Sequence, residues 1–212
     1  HAQGGGVRSK TDRKDSMMLA RYGFERSPAP WQPEPPEVRE LKRLVARLDA
    51  LEADIQREEN RLEKARFNGD VQAEESIHHM LAALRDERHR LVASIDDHFD
   101  NNQHLKQDRA LLETIPGIGR VLSSYLVVAL RSRDFASARQ AAAFIGLVPI
   151  AEQSGTSVNK RARLSKAGAP KLRQKLYMAA MTATRYNPDI RAQYLRLHKR
   201  GKAKMAAIGA AM

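Results

Sequence analysis

Two leucine seams constrain this chain more than any other feature. Leu41, Leu44, Leu48, Leu51, Ile55 and Leu62 recur at steps of three and four, with Glu58 at the one missing step. This is the a/d pattern of a helix that buries a single stripe. At 1.5 Å per residue it runs for roughly 30 Å. A second seam follows in Ile77, Leu81, Leu84, Leu91 and Ile95, interrupted by Arg88. Phe67-Asn68-Gly69-Asp70 breaks the helix between them, and Gly69 is free to take positive φ. The pattern predicts an antiparallel coiled-coil hairpin over residues 37–100. Two helices alone bury little apolar surface, so the hairpin is expected to pack on a second copy or on another domain. An ordinary helix pair inside one core is the competing arrangement.

Charge divides the chain around that hairpin. The whole chain of 212 residues carries a formal net charge of +12. Residues 1–33 contribute +3, residues 34–100 contribute −6 and residues 101–212 contribute +15. A segment at +15 attracts polyanions, and each phosphate it neutralises releases a counterion. The acidic middle shows that basicity is confined to one part. No cysteine is present, which excludes disulfides, Cys-ligated zinc, iron–sulfur clusters and a thiol nucleophile. No apolar run reaches the roughly 20 residues of a membrane span, so no membrane partner is expected. Aromatic residues at 5% are too few for a stacking-based single-strand binder. His78 and His79 are neighbours that diverge on a helix, so they read as surface residues.

Five prolines between Pro28 and Pro36 predict an extended linker over residues 27–36, setting residues 1–26 apart. The chain opens on His1, and Met205–Met212 is an uncapped apolar run, so a fragment of a longer reading frame is expected. Residues 101–212 read as a helical domain. Leu105–Glu113, Val121–Leu130, Ala138–Phe144, Lys171–Tyr186 and Asp189–Lys199 are its helical stretches. Residues 145–170 lack clear periodicity and read as a long loop, which is usually functional or disordered.

Three places could carry chemistry. Ile115-Pro116-Gly117-Ile118-Gly119 lies between two apolar helices and predicts the turn of a helix-hairpin-helix. Gly117 and Gly119 would let the backbone approach a phosphate, and the amides opening the next helix at Arg120 would point at it. An inter-helix turn without ligand fits the same residues. In the second place, Ser154 stands beside Gly155 in the long loop. Lys160, Arg161, Arg163, Lys166, Lys171, Arg173 and Lys175 follow it. Phosphoryl transfer needs an attacking group and cations on the non-bridging oxygens, and this stretch holds both residue types. Composition alone does not promote Ser154 to a nucleophile, because most Ser-Gly pairs are simply turns. In the third place, Asp12 and Asp15 are three apart, so a helix starting here sets both carboxylates on one face. They could share Mg²⁺ with other carboxylates, or serve as an N-cap and a first-turn Asp.

Taken in order, these motifs resemble a known family. Lys10-Thr11-Asp12-Arg13-Lys14-Asp15, the coiled coil and Ile115–Gly119 come first. Ala142-Ala143-Phe144-Ile145-Gly146-Leu147-Val148-Pro149, Gln153-Ser154-Gly155 and Ser165–Arg173 follow. The whole is similar to insertion-sequence transposases of the DEDD-plus-serine type, the bridge-RNA-guided recombinases. Ser16 stands where Ala is common, and Ala169-Pro170 where Gly-Asn is common.

The resemblance implies a mainly α chain with an N-terminal remnant of a ribonuclease-H-like α/β domain in residues 1–26. It implies Asp12 and Asp15 as the last two of four metal-binding acidic residues, the other two lying upstream, with Mg²⁺ as cofactor. Ser154 would be the nucleophile. The partners implied are DNA, a structured guide RNA and further copies of the chain in a tetramer or dimer of dimers. The acidic residues of one subunit would meet the serine of another. The setting implied is the cytoplasm of a bacterium or archaeon, associated with the nucleoid. A fragment holding half the acidic set is expected to be inactive alone. The alternative is a non-catalytic DNA- or junction-binding protein that oligomerises through its coiled coil.

Overall fold

The computed structural model describes residues 11–28, 30, 33–154, 158–165 and 167–212. It divides into two compact units, His1–Pro33 and Glu34–Met212. Among its described residues the first unit contains one helix, α1 (Asp12–Arg26). Thr11 caps it, its side chain accepting from the Lys14 amide at 3.4 Å. Asp12 and Asp15 both fall in the first turn, where carboxylates offset the positive end of the helix dipole. The cap is therefore Thr11 rather than Asp12. No residue of α1 is buried, and Met17, Leu19 and Phe24 are exposed.

The second unit opens with two long helices, α2 (Pro36–Asn68) and α3 (Val71–Asp100). Pro36 starts α2 because a first-turn proline has no amide to waste. Gly69, at φ 68°, stops it, and Asp70 caps α3 by accepting from the Ala73 amide at 3.0 Å. Val38, Leu41, Val45, Leu48 and Leu51 of α2 are buried against Leu91, Ile95 and Phe99 of α3 and the helices that follow. Burying each such leucine is worth about 1.5–3 kcal/mol. Leu62, Ala65 and Leu81 are buried as well, but outside that core. The near half of the pair is thus built into the core, while the far half is closed mainly by its own seam. Arg88, which interrupts the apolar stripe, turns to Glu52 at 3.7 Å. Near the start of α2 the His98 Nε2 donates to the Glu37 carbonyl at 2.9 Å.

Among the described residues eight further elements complete the unit: α4 (Gln103–Glu113), α5 (Arg120–Arg131), α6 (Ala138–Ile145), two paired strands, then α7 (Pro170–Tyr186), α8 (Pro188–Lys199) and α9 (Lys204–Ala211). The chain is mainly helical, as its periodicity predicts. The one departure is residues 145–170. In place of a structureless loop, β1 (Pro149–Ser154) and β2 (Val158–Leu164) pair antiparallel. Their register runs from Pro149 opposite Leu164 to Ser154 opposite Val158, with a bulge between Ile150 and Glu152. That bulge breaks the alternation by which a strand is recognised.

Helix α5 sits centrally, burying Leu122, Tyr125, Leu126 and Val127 against α2, α4 and α7. The Tyr125 hydroxyl donates to the Asp49 carboxylate at 2.7 Å, tying α5 to α2.

Candidate nucleic-acid interface

The turn between α4 and α5 is held from below by a buried cation. Arg109 of α4 is nearly inaccessible, yet it carries a full charge. It lies 2.7 Å from Asp96 of α3 and 3.0 Å from Glu113 at the end of α4. Its guanidinium also stacks over the Phe99 ring at 4.4 Å. Ser123 of α5, fully buried, donates to the same Glu113 carboxylate at 2.8 Å. Both ends of the turn are therefore fixed to one network, and a buried charge of this kind is tolerated only when paired. Burial and helical spacing do not predict Arg109; its i,i+4 partner Glu113 is the one signal in the sequence.

Above this network the turn is open. Gly117 takes φ 105°, and a Cβ there would stand 2.9 Å from the Ala179 carbonyl, so the turn lies directly on α7. Gly119 is the N-cap of α5 with no side-chain cap, and a Cβ on it would meet nothing within 4 Å. The first amides of α5 have no intrahelical carbonyl to bond, as at any helix start.

The residues that open α5 line a cleft of about 860 Å³ between α2, the turn and α7. Gly117, Gly119, Arg120 and Lys171, separated by up to 54 positions, all line it. So do Lys175, the last of the cations that follow Ser154, and Arg57, which no motif of the sequence singles out. Arg57 pairs with Asp54. Lys175 reaches Glu52 at 3.2 Å and lies over the Tyr125 ring at 4.7 Å. Arg120 is paired with Asp96 at 3.0 Å but stays largely exposed. Lys171 has no carboxylate partner among the described residues. The stripe Lys171, Gln174, Lys175, Met178 and Thr182 faces the cleft at steps of three and four. That spacing was visible in the sequence; the approach of Arg57 was not, because it depends on how α2 docks.

The remaining candidates sit elsewhere. Ser154 is the last residue of β1, and Lys160, Arg161 and Arg163 lie along β2, with Lys160 opposite Glu152 and Arg163 opposite Ile150. Lys166 lies outside the described residues. Arg173 turns away from solvent: it donates to the carbonyls of Ile145 and Gly168. It thereby clamps the two chain segments that enter and leave the hairpin. Gly168 passes so close that a Cβ on it would lie 2.3 Å from the Phe144 carbonyl. The Ser165 amide closes the base by donating to the Val148 carbonyl at 3.0 Å.

Asp12 and Asp15 belong to the other unit. Two carboxylates one turn apart are hard oxygen donors suited to a divalent cation, and they make up part of a donor set. Among the described residues no group of three or more His, Asp or Glu side chains stands together as a metal site. The pair fits as a partial set only. No described helix is long and apolar enough to cross a membrane.

Comparison with known proteins adds a separate line of observation. Residues 109–195 match the IS116/IS110/IS902 family of transposases. Residues 3–65 match a second transposase family, the DEDD domain of IS110 type. Over its whole length the chain is 30% identical to the pilin gene-inverting protein of Moraxella bovis and 31% identical to that of Moraxella lacunata. It spans 65% of the length of each. It is also 26% identical, over 63% of its length, to an insertion element IS110 protein of 43.6 kDa from Streptomyces coelicolor, covering 32% of that protein.

Proposed function

Because the chain carries IS110-family transposase domains, we propose that it is the greater part of a DNA transposase that cuts and rejoins strands of an insertion sequence. The observation that carries this reading is the cleft. Gly117, Gly119, Arg120 and Lys171 were each selected as a phosphate contact from the sequence, and they line one concave, cationic surface. A backbone phosphate there would meet open amides and cations together, which positions a duplex without reading its bases. In this reading α4, the turn and α5 act as a helix-hairpin-helix.

The chemistry proposed for the hairpin is serine-based. The Ser154 Oγ attacks phosphorus, losing its proton to solvent, and a phosphoserine bond forms. The P–O bond to one strand breaks, and that strand leaves as a hydroxyl after taking up a proton. Attack by a hydroxyl of the exchanging strand then reverses these steps and frees Ser154. Lys160, Arg161, Arg163 and Lys166 offset the charge on the non-bridging oxygens. Asp12 and Asp15 would hold Mg²⁺ together with two further carboxylates, and the bound ion would add charge neutralisation at the phosphate. Arg173 acts as a positioning residue, since its guanidinium serves the base of the hairpin.

Assembly is proposed through the α2–α3 pair acting as a coiled coil, in a tetramer that brings Asp12 and Asp15 of one subunit to Ser154 of another. A structured guide RNA is proposed as the element that selects the target.

The test uses the longer reading frame restored from source DNA, incubated with the element ends, the flanking RNA and Mg²⁺. A covalent protein–DNA adduct on a denaturing gel, absent in Ser154→Ala and in Asp12→Ala, is the expected result. DNA binding without an adduct in any variant would replace this reading with the non-catalytic DNA-binding one.

A further inference from the structure

The cations of the long helices lie among many carboxylates, and several are neutralised locally: Arg85 pairs with Glu59 at 2.9 Å and Arg90 with Glu87 at 3.0 Å, although Arg39, Arg43, Arg47 and Lys64 have no carboxylate partner among the described residues. On α8 and at its C-cap the carboxylates themselves are nearly missing. Arg191, Arg196, Lys199 and Arg200 are exposed, and among the described residues none has a carboxylate partner. The one acidic residue of α8, Asp189, sits in its first turn.

The arrangement of these four is regular. Ile190, Gln193, Tyr194 and Leu197 form the partly buried stripe of α8, which packs against α7 and α9. At 100° per residue, Arg191, Arg196 and Lys199 spread over the half of the helix opposite that stripe, and Arg200 follows them as the C-cap. Arg196 and Lys199 in the last turn offset the negative end of the helix dipole, which at exposed positions is worth about 0.3–1 kcal/mol each, but Arg191 has no such role. Like charges at i,i+4, such as Arg196 and Arg200, repel one another. Such a face is explained if an anionic partner covers it.

Two further observations select the partner. The cleft-lining stripe of α7 continues by the same helical step to Arg185, which is exposed and without a carboxylate partner, one turn before α8 begins. The cationic surface therefore runs on from the cleft toward α8. The outer face of α8 also carries no exposed Tyr, Phe or Trp: Tyr194 is half-buried and stacked at 6.3 Å on His198, the exposed ring of the pair. Single-strand binders need exposed rings, whereas a duplex backbone needs only spaced cations.

We propose that the outer face and C-terminal end of α8, formed by Arg191, Arg196 and Lys199 with the C-cap Arg200, is a second contact surface for the phosphate backbone of duplex DNA, beyond the cleft. It rests on the transposase reading, and it adds a surface that neither the sequence motifs nor the cleft identify. Four contacts would contribute a slope of about 3–4 to the dependence of log K on log salt concentration.

The experiment measures duplex binding by fluorescence anisotropy over a salt series, using the 212-residue chain. A variant with Arg191→Gln, Arg196→Gln, Lys199→Gln and Arg200→Gln is compared with Lys171→Gln in the cleft. A third variant, Arg85→Gln with Arg90→Gln, removes charge from paired positions. The α8 variant should lower the salt slope by about 3–4, the cleft variant by about 1, and the control not at all. Circular dichroism confirms that each variant is folded; α8 variants carrying one Gln at a time give the same readout should the fourfold variant unfold.

A wild-type slope left unchanged by the α8 variants overturns this inference and leaves the transposase reading standing. No duplex binding by the wild-type chain overturns both. A loss of affinity for a structured RNA of equal length, with the duplex slope unchanged, assigns the face to RNA and overturns the proposal. Equal slope changes in the control and α8 variants reduce the effect to net charge and overturn it too.

Discussion

The Tyr125 hydroxyl and the Asp49 carboxylate meet at 2.7 Å across 76 positions of sequence. The bond joins the central helix α5 to α2 beside the cationic cleft. Tyr125→Phe removes a hydrogen bond to a charged acceptor and should lower unfolding free energy by about 1.5–3 kcal/mol, read from urea denaturation.

The same pair sets an alkaline limit. Burial, and then the bond to Asp49, hold the Tyr125 hydroxyl well above its ordinary range. The neutral phenol is the form the fold favours. Its contribution is therefore fully present below the unfolded value of about 10, and is lost as pH rises beyond that point. Melting temperature should fall above about pH 10 in the wild type, and Tyr125→Phe should show a shallower fall. Parallel melts of the two proteins read the difference directly, since other groups titrate alike in both.

Arg109 should be the costliest charged side chain to remove. Arg109→Met leaves Asp96 and Glu113 without the cation that now lies 2.7 Å and 3.0 Å away. A stability loss of about 3–5 kcal/mol is expected from breaking a buried pair on one side only. Adding Asp96→Asn and Glu113→Gln should restore much of it. Equal stability of the single and triple variants would show that the loss comes from packing over Phe99 instead.

The two glycines of the turn should separate folding from binding. Gly117→Ala places a Cβ 2.9 Å from the Ala179 carbonyl at φ 105° and should cost about 1–3 kcal/mol of stability. Gly119→Ala meets open space. It should melt close to wild type, yet lose on the order of tenfold in duplex affinity if a phosphate lies against that backbone, equal to about 1.4 kcal/mol. Unchanged affinity in Gly119→Ala would remove the turn from the interface.

Arg173→Gln should loosen the hairpin locally. The Ile145 and Gly168 carbonyls would lose a charged donor, at a cost of about 1–3 kcal/mol. Hydrogen exchange at the Ser165 amide, which now bonds the Val148 carbonyl, should accelerate while α5 amides stay protected. Global acceleration would instead make Arg173 part of the core.

Much of this architecture is written in local periodicity. The seams of α2 and α3, the break at Gly69 and the start of α7 at Pro170 all follow from steps of three and four and from Gly and Pro chemistry. The strand pair was not legible, because a bulge beside Ile150 disturbs its alternation and because its stability comes from cross-strand pairing. Arg173 read as a phosphate ligand, since its charge is visible in sequence while its carbonyl partners at Ile145 and Gly168 are not. The cleft was half legible: Gly117, Gly119, Arg120 and Lys171 are local signals, whereas Arg57 arrives only through helix docking.

The helix pair closed at Gly69 has a metric consequence. Only its near half shares the central core, so the far half sets a fixed distance between that core and anything touching its tip. It is a ruler whose length can be changed without changing its graduations. Removing seven residues from the far half of each helix keeps the apolar stripes in phase and shortens the span by about 10 Å. Removing four would shorten it less but rotate one stripe out of register. If partner subunits meet through this tip, the spacing of the DNA ends they hold is written in the number of heptads.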